Sequence, residues 1–288
     1  MSTATATTTH DLVGIHPGVA AADYHAAPGV SSTILKDVLR SPLHCWARHI
    51  DPERQPSAAS EAMKLGTAVH TASLEPERWD REIAVAPRVD RRTKAGREAW
   101  ASFQEEAAGR TVLTAEQAER AESMAEAVRG HPAAAGLLSD GLAECSLWHA
   151  EGPELVKVRP DWWAPAALVD LKTTRDAGPA GFARQVAQMR YHLQAALYVD
   201  VVGSVTGETL PWYWIAVESE QPHAVAVYRA DAETLARGRE LYRRALALYS
   251  ECRRSGRWPG YPESVQEIRL PGWALHDEPG QSMDDPEF

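Results

Sequence analysis

The stretch from Lys157 to Thr174, KVRPDWWAPAALVDLKTT, constrains this chain more than any other. It reads as two short strands: 155–159, closed by Pro160-Asp161, and 167–172, with Pro165 in the turn between them. β-branched and apolar residues bounded by prolines are the expected strand signal. Asp170 and Lys172 stand two apart, so on a strand they leave the same face. Asp161, at the end of the neighbouring strand, reaches that face too. Two carboxylates that close repel unless a cation sits between them, and oxygen ligands suit Mg²⁺. A lysine beside the cation orients or deprotonates a water. The same stretch is also compatible with a plain hairpin that carries a surface Asp–Lys pair, and only the rest of the chain decides between the two.

A chain of 288 residues is long enough for one large domain or two small ones. No apolar run approaches the roughly 20 residues of a membrane span. The opening MSTATATTTHDLVG lacks the basic-then-apolar order of a signal peptide and reads as a flexible leader, residues 1–23. Cys45, Cys145 and Cys252 are odd in number and far apart, which fits neither a disulfide framework nor a clustered metal site. A reducing cytoplasm is the natural setting. With 30 basic against 40 acidic residues the net charge is −10, which argues against a generic nucleic-acid binder. Part of that charge lies in the closing HDEPGQSMDDPEF, read as a disordered acidic tail within an irregular segment 257–288. DNA contact must then come from a local basic patch rather than a global field.

Along the chain, Ser31 or Ser32 is a candidate N-cap for a helix carrying Ile34, Leu35, Val38 and Leu39, and a helix start with a free hydroxyl also suits a phosphate. Ser41-Pro42 interrupts it, and Leu43, Trp46 and Ala47 continue as a second segment. In the mostly buried helix 60–74, Gly66 and His70 are four apart and share a face. The stretch 88–97, with Arg91, Arg92 and Lys94, is the most basic and reads as an exposed loop leading into a helix over 97–104, able to grip phosphates. Thr114 and Gln117 make a capping box for the next helix. Residues 133–138 read as a short helix and 143–148 as a strand, which offers Glu144 as a third carboxylate or as an edge-strand surface residue. A long helix over 179–201 places Tyr191, Gln194 and Tyr198 on one stripe. Strands 212–217 and 223–228 follow, then a final helix capped by Asp231 and decorated with arginines.

Together these pieces resemble the RecE-type exonucleases, the exonuclease VIII family within the RecB-like PD-(D/E)XK nucleases. The likeness is cumulative and ordered, over roughly residues 24–255. Gly29-Val30-Ser31-Ser32 with Ser41-Pro42 resembles the family's opening helix, and Leu65-Gly66-Thr67-Ala68-Val69-His70 its Gly-x-x-x-His motif. Asp90 to Gly96 resembles its basic loop. Arg159-Pro160-Asp161 and Val169-Asp170-Leu171-Lys172 resemble its catalytic strands, and Gln194-x-x-x-Tyr198 its Gln-x-x-x-Tyr helix.

The resemblance implies an α/β fold: a PD-(D/E)XK nuclease core, a central mixed β-sheet flanked by helices, with an N-terminal helical extension, in a domain 24–256. It implies a metal site of His70, Asp161, Asp170 and the Leu171 carbonyl, with Glu144 a less secure match. Lys172 is then the catalytic lysine, and Gln194 and Tyr198 position the phosphate or that lysine. The implied activity is Mg²⁺-dependent exonucleolytic hydrolysis of linear double-stranded DNA, 5′ to 3′, with Mn²⁺ also active and no iron–sulfur cluster, since that variant needs four cysteines. Implied partners are DNA ends, copies of the chain in a ring (a tetramer as first guess) and a single-strand annealing recombinase. A structure-specific or restriction-type endonuclease on the same fold, or a non-catalytic DNA-binding protein, are the alternatives.

Overall fold

Along 167–174 and 212–218 the side chains alternate between two buried surroundings, which is what a strand covered on both faces requires. A computed structural model describes residues 12–55 and 58–270. It opens with β1 (Gly14–His16), α1 (Ala21–Ala26), α2 (Ser32–Arg40), α3 (Pro42–Cys45, continued by a π-helical turn Trp46–Ile50) and α4 (Glu61–Leu74). Then come α5 (Trp79–Glu82), β2 (Ile83–Val85), α6 (Lys94–Glu106), β3 (Thr111–Leu113), α7 (Ala115–Gly130) and α8 (Pro132–Leu137). The central strands are β4 (Leu142–Ala143), β5 (Ser146–Glu151), β6 (Glu154–Val158), β7 (Trp162–Ala164) and β8 (Ala167–Thr174). The chain continues through α9 (Pro179–Gln188), α10 (Tyr191–Thr206), β9 (Trp212–Glu218), β10 (Val225–Arg229) and α11 (Ala232–Ser255).

The main sheet has the order β10-β9-β8-β7-β4 and is mixed, with β8 and β9 parallel and the other pairs antiparallel. Leu168, Trp212, Trp214 and Ala216 pack into a core with α2, α10 and α11. Val169, Leu171, Ile215 and Val217 face the opposite way, into a second core with α4 and α7. The sheet is therefore sandwiched between helical layers, and each fully buried leucine such as Leu168 or Leu171 contributes about 2 kcal/mol. A smaller sheet, β1-β5-β6, closes the first core with Leu147, Val156 and Val158. This is the expected α/β architecture, a central mixed sheet flanked by helices, with α1 to α3 preceding it.

Local chemistry sets the helix ends. Ser31 caps α2, its Oγ accepting from the Ile34 N–H, and extended Ser41 ends it, with Pro42 starting α3 where a missing N–H is harmless. Thr114 and Gln117 form the expected capping box.

Several expectations need correction. The strand 154–158 is not the partner of 167–174: it pairs with β5, and the hairpin strand is Trp162–Ala164, set between Pro160 and Pro165. Pro160 stops one strand, and the two tryptophans form the next. The expected strand 143–148 breaks at Glu144, whose φ of 50° turns the chain from the five-stranded into the three-stranded sheet. The expected helix 179–201 is two helices, because Arg190 is left-handed (φ 52°, ψ 42°). The helix expected from Arg97 begins at Lys94, since Thr93 caps it. The last strand begins at Val225, not His223. Residue 23, the expected end of the leader, falls inside α1, and β1 already pairs with Ser146–Trp148. The start of the leader (1–11) and the acidic tail (276–288) lie outside the described residues. Among the described residues no helix is long and apolar enough to cross a membrane.

Candidate active site

The centre lies where β7 ends and β8 continues. β7 covers β8 only as far as Val169. Beyond it, the N–H and C=O of Leu171 need other partners, because buried backbone groups are rarely left unpaired. The Leu171 N–H donates to Asp161 Oδ2 at 2.7 Å. The Leu171 carbonyl oxygen lies 2.8 Å from His70 Nε2, on the site-facing side of α4. His70 Nδ1 then faces Asp161 Oδ2 at 3.6 Å. Gly66, one turn earlier, sits against Thr173: a Cβ there would meet Thr173 Oγ1 at 3.9 Å, so α4 rides close over β8.

Asp170 projects to the other face of β8, with Leu168 and Lys172, and is fully buried. Lys172 Nζ lies 2.7 Å from each of its oxygens, but only Oδ1 is placed to accept a hydrogen bond. Gln194 Nε2 donates to the same Oδ1 at 2.9 Å. Oδ2 is left buried without a hydrogen-bond partner. Tyr198, one turn beyond Gln194 on α10, lies close enough to Ser32 of α2 for the hydroxyl to act on it, while burial holds its pKa up.

Glu144 reaches the site through its turned backbone, and its N–H donates to the Asp161 carbonyl at 3.0 Å. Its carboxylate accepts from Arg159 Nε, and Arg159 is held in turn by Val19 O and Ser146 Oγ. His70, Glu144 and Asp161 each offer a ligand atom within 4.8 Å of the others.

The electrostatics are those of a cation site. Burial and then the Asp170 carboxylate push the Asp161 pKa up. Burial and then Asp161 do the same to Glu144. Burial holds the His70 pKa down, so its imidazole is neutral and can ligate. Burial opposes the Lys172 ammonium, yet Asp170 and Asp161 outweigh it and hold its pKa up. A hard divalent cation held by His70, Glu144 and Asp161 would reverse the carboxylate shifts. The donor set of carboxylates, one carbonyl and one imidazole thus fits Mg²⁺ or, with the histidine, Mn²⁺ more easily.

The structure brings His70, Glu144, Asp161 and the Leu171 carbonyl to one point. It sets Asp170, Lys172 and Gln194 as a second bonded group on the other face of β8, near enough for Asp170 to raise the Asp161 pKa, with Tyr198 and Ser32 beside it. Ser31 serves as the cap of α2. Arg91, Arg92 and Lys94 make only local contacts: Arg91 lies over Trp100, Arg92 pairs with Asp90, and Lys94 with Glu98. The side chains of Arg92 and Lys94 are 91% and 85% exposed. Sequence reasoning missed Lys36, whose Nζ lies 3.4 Å from Gln194 Oε1, and Arg190, which donates to the Lys36 carbonyl at 2.8 Å. The signal for Lys36 was legible: Ser32 and Lys36 are four apart, a polar stripe on an otherwise apolar helix face.

No functionally curated protein matches the chain by sequence. A crystal structure of a candidate exonuclease from Eubacterium rectale aligns with a TM-score of 0.58 at 14% identity, over 91% of this chain and 100% of its own. That likeness is one of fold. The structure of SSO0001 aligns at 15% identity over 62% of this chain and 86% of its own, with a TM-score of only 0.24. The family profile described as PDDEXK-like domain of unknown function (DUF3799) matches residues 31–271, which contain every side chain of the site just described; this chain belongs to that family.

Proposed function

We propose that this protein is a metal-dependent exodeoxyribonuclease of RecE type that degrades linear double-stranded DNA from an end, 5′ to 3′, and leaves single strands for recombination. The convergence of Asp161, Asp170 and Lys172 with His70 and Glu144 carries the reading. A scaffold has no use for two buried carboxylates that repel each other beside a lysine; hydrolysis of a phosphodiester has. The order of motifs and the description of the Eubacterium rectale structure support an exonuclease over an endonuclease.

Asp161, Asp170, Glu144, His70 and the Leu171 carbonyl would hold the cation, which supplies Lewis acidity and a water of lowered pKa. Each protein group then has its own task. Gln194 and Lys172 fix the Asp170 carboxylate through Oδ1, and the Lys172 ammonium also lies 2.7 Å from Oδ2. Lys172, kept protonated by its carboxylates, acts as a donor that orients water and offsets the charge growing on the phosphoryl oxygens, rather than as a base. Tyr198, buried on α10 beside Ser32 of α2 and near both carboxylates, would help position the phosphate or the lysine.

With a net charge of −10, non-specific affinity for DNA is weak. A closed ring of copies, a tetramer in the first instance, would hold the duplex by topology, with Arg91, Arg92 and Lys94 as a modest basic lining. A single-strand annealing recombinase is the expected taker of the product.

The test is a gel assay of linear and covalently closed circular duplex with Mg²⁺, with Mn²⁺ and with chelator. Loss of linear DNA alone, dependent on cation, is the expected result. Cutting of circles would favour the endonuclease, and inertness toward both with retained DNA binding would favour a non-catalytic binder.

A further inference from the structure

Two helices face each other across the site through paired positions. On α2, Ser32 and Lys36 are four residues apart; on α10, Gln194 and Tyr198 are four apart. Ser32 meets Tyr198, and Lys36 meets Gln194. Because Gln194 also donates to Asp170, the second rung connects Lys36 through the amide to the Asp170–Lys172 pair. The Lys36 and Lys172 ammoniums lie 5.2 and 5.0 Å from the centroid of the same Tyr191 ring.

The two lysines are not equally compensated. Lys172 sits 2.7 Å from a carboxylate. Lys36 has only a neutral amide oxygen at 3.4 Å, the long end of hydrogen bonding, and the face of Tyr191. Burial, then the Lys172 ammonium, hold the Lys36 pKa down to about 8, and the Asp170 carboxylate offsets them only in part. Holding such a group in place is unfavourable unless an anion arrives. Its position is nonetheless enforced. Arg190 takes the left-handed conformation that breaks α9 from α10, and from there it donates to the Lys36 carbonyl oxygen. Backbone of this kind on a non-glycine residue costs about 1 kcal/mol or more and marks a place the surroundings over-determine.

We propose that Lys36 is a second phosphate-binding cation of this site, one that takes a non-bridging oxygen of a DNA phosphate when substrate docks. The assignment rests on the nuclease reading. It divides the work between the lysines: Lys172 serves the reacting centre through Asp170, and Lys36 serves binding. A phosphate there replaces the weak amide contact with a charge-assisted one.

The test compares the full-length parent with Lys36→Met and Lys36→Arg. Binding of a short duplex, once with 5′-phosphate and once with 5′-hydroxyl ends, is measured in chelator over a range of salt. Lys36→Met should weaken binding roughly tenfold and reduce the salt slope by about one, while Lys36→Arg retains most of both. In steady state with cation, Lys36→Met should raise KM with kcat close to the parent. Its melting temperature should hold or rise, since a poorly compensated ammonium has been removed. A defect confined to 5′-phosphorylated ends assigns the terminal phosphate to Lys36; a defect with both ends assigns an internal phosphodiester. Parental affinity and salt slope in Lys36→Met, or a loss in kcat at unchanged KM, would overturn the assignment while the nuclease reading stands. A parent that neither binds nor cuts DNA would overturn both.

Discussion

His70 Nε2 lies 2.8 Å from the carbonyl oxygen of Leu171, a contact that spans 101 positions of the chain. The N–H of the same residue is taken by Asp161. One residue of β8, left uncovered where β7 ends, thus joins α4 and the loop after β6 at a single point. Without a cation the first contact is a hydrogen bond; the same two atoms are close enough to serve as neighbouring ligands of one ion.

His70→Ala should therefore raise the concentration of Mg²⁺ or Mn²⁺ needed for half-maximal activity by roughly tenfold or more. It should lower stability by only about 1 kcal/mol, the worth of one hydrogen bond. Cation titrations of activity and of melting temperature check this. An unchanged cation curve would make His70 a packing histidine of α4.

Asp170→Asn and Lys172→Met should each reduce hydrolysis by a factor of about 10³ or more, because the groups act as a unit. Lys172→Met leaves Asp170 buried beside Gln194 alone, so it should also cost about 3 kcal/mol of stability. The double variant should recover much of that loss but none of the activity. Denaturant unfolding of the three proteins measures the coupling, and near-additive losses would mean that the pair is not a pair.

Glu144 combines a left-handed backbone with a carboxylate that reaches the candidate ligand cluster. Glu144→Gly should relieve the left-handed conformation, a gain of about 1 kcal/mol, but strip both the cation ligand and the partner of Arg159. We expect a folded protein with weakened cation binding, read by calorimetric titration. Full cation affinity in this variant would remove Glu144 from the site.

Burial and Asp170 raise the Asp161 pKa above its ordinary 3.8. A carboxyl whose folded pKa is raised binds its proton more tightly in the folded state. Its stabilising contribution is complete below the unfolded value and fades as pH rises through the folded one. In chelator, stability should fall between about pH 4 and about pH 8; saturating Mn²⁺ should flatten the dependence by favouring the ionised form. Melting curves in both conditions decide it, and a pH slope untouched by cation would place the ion elsewhere.

If the protein encloses DNA in a ring, light scattering at micromolar concentration should give a closed oligomer, and digestion should continue after a DNA trap is added. A strict monomer, or digestion that stops at once, would end the ring proposal.

Much of the chemistry was legible in the sequence, because it depends on local spacing. A period of two puts Asp170 and Lys172 on one face of a strand, a period of 3.6 puts Gly66 above His70 and Gln194 below Tyr198, and hydroxyls at helix starts offered Ser31 or Ser32, and Thr114, as caps. The tertiary structure decided what no spacing encodes. Which strand lies beside β8 depends on long-range pairing, so Trp162–Ala164 rather than 154–158 became the partner. That choice, by ending at Val169, freed the peptide groups of Leu171 for Asp161 and His70. The left-handed residues Glu144 and Arg190 sit in sequences with ordinary strand and helix propensity, and local preference gives no warning of either. Tertiary contacts override propensity there: the Glu144 N–H is taken by the Asp161 carbonyl and its carboxylate by Arg159, and Arg190 is fixed by the Lys36 carbonyl. The spacing of Ser32 and Lys36 puts both on one face of α2, but only the packing of α2 against α10 gave Lys36 a place beside Gln194.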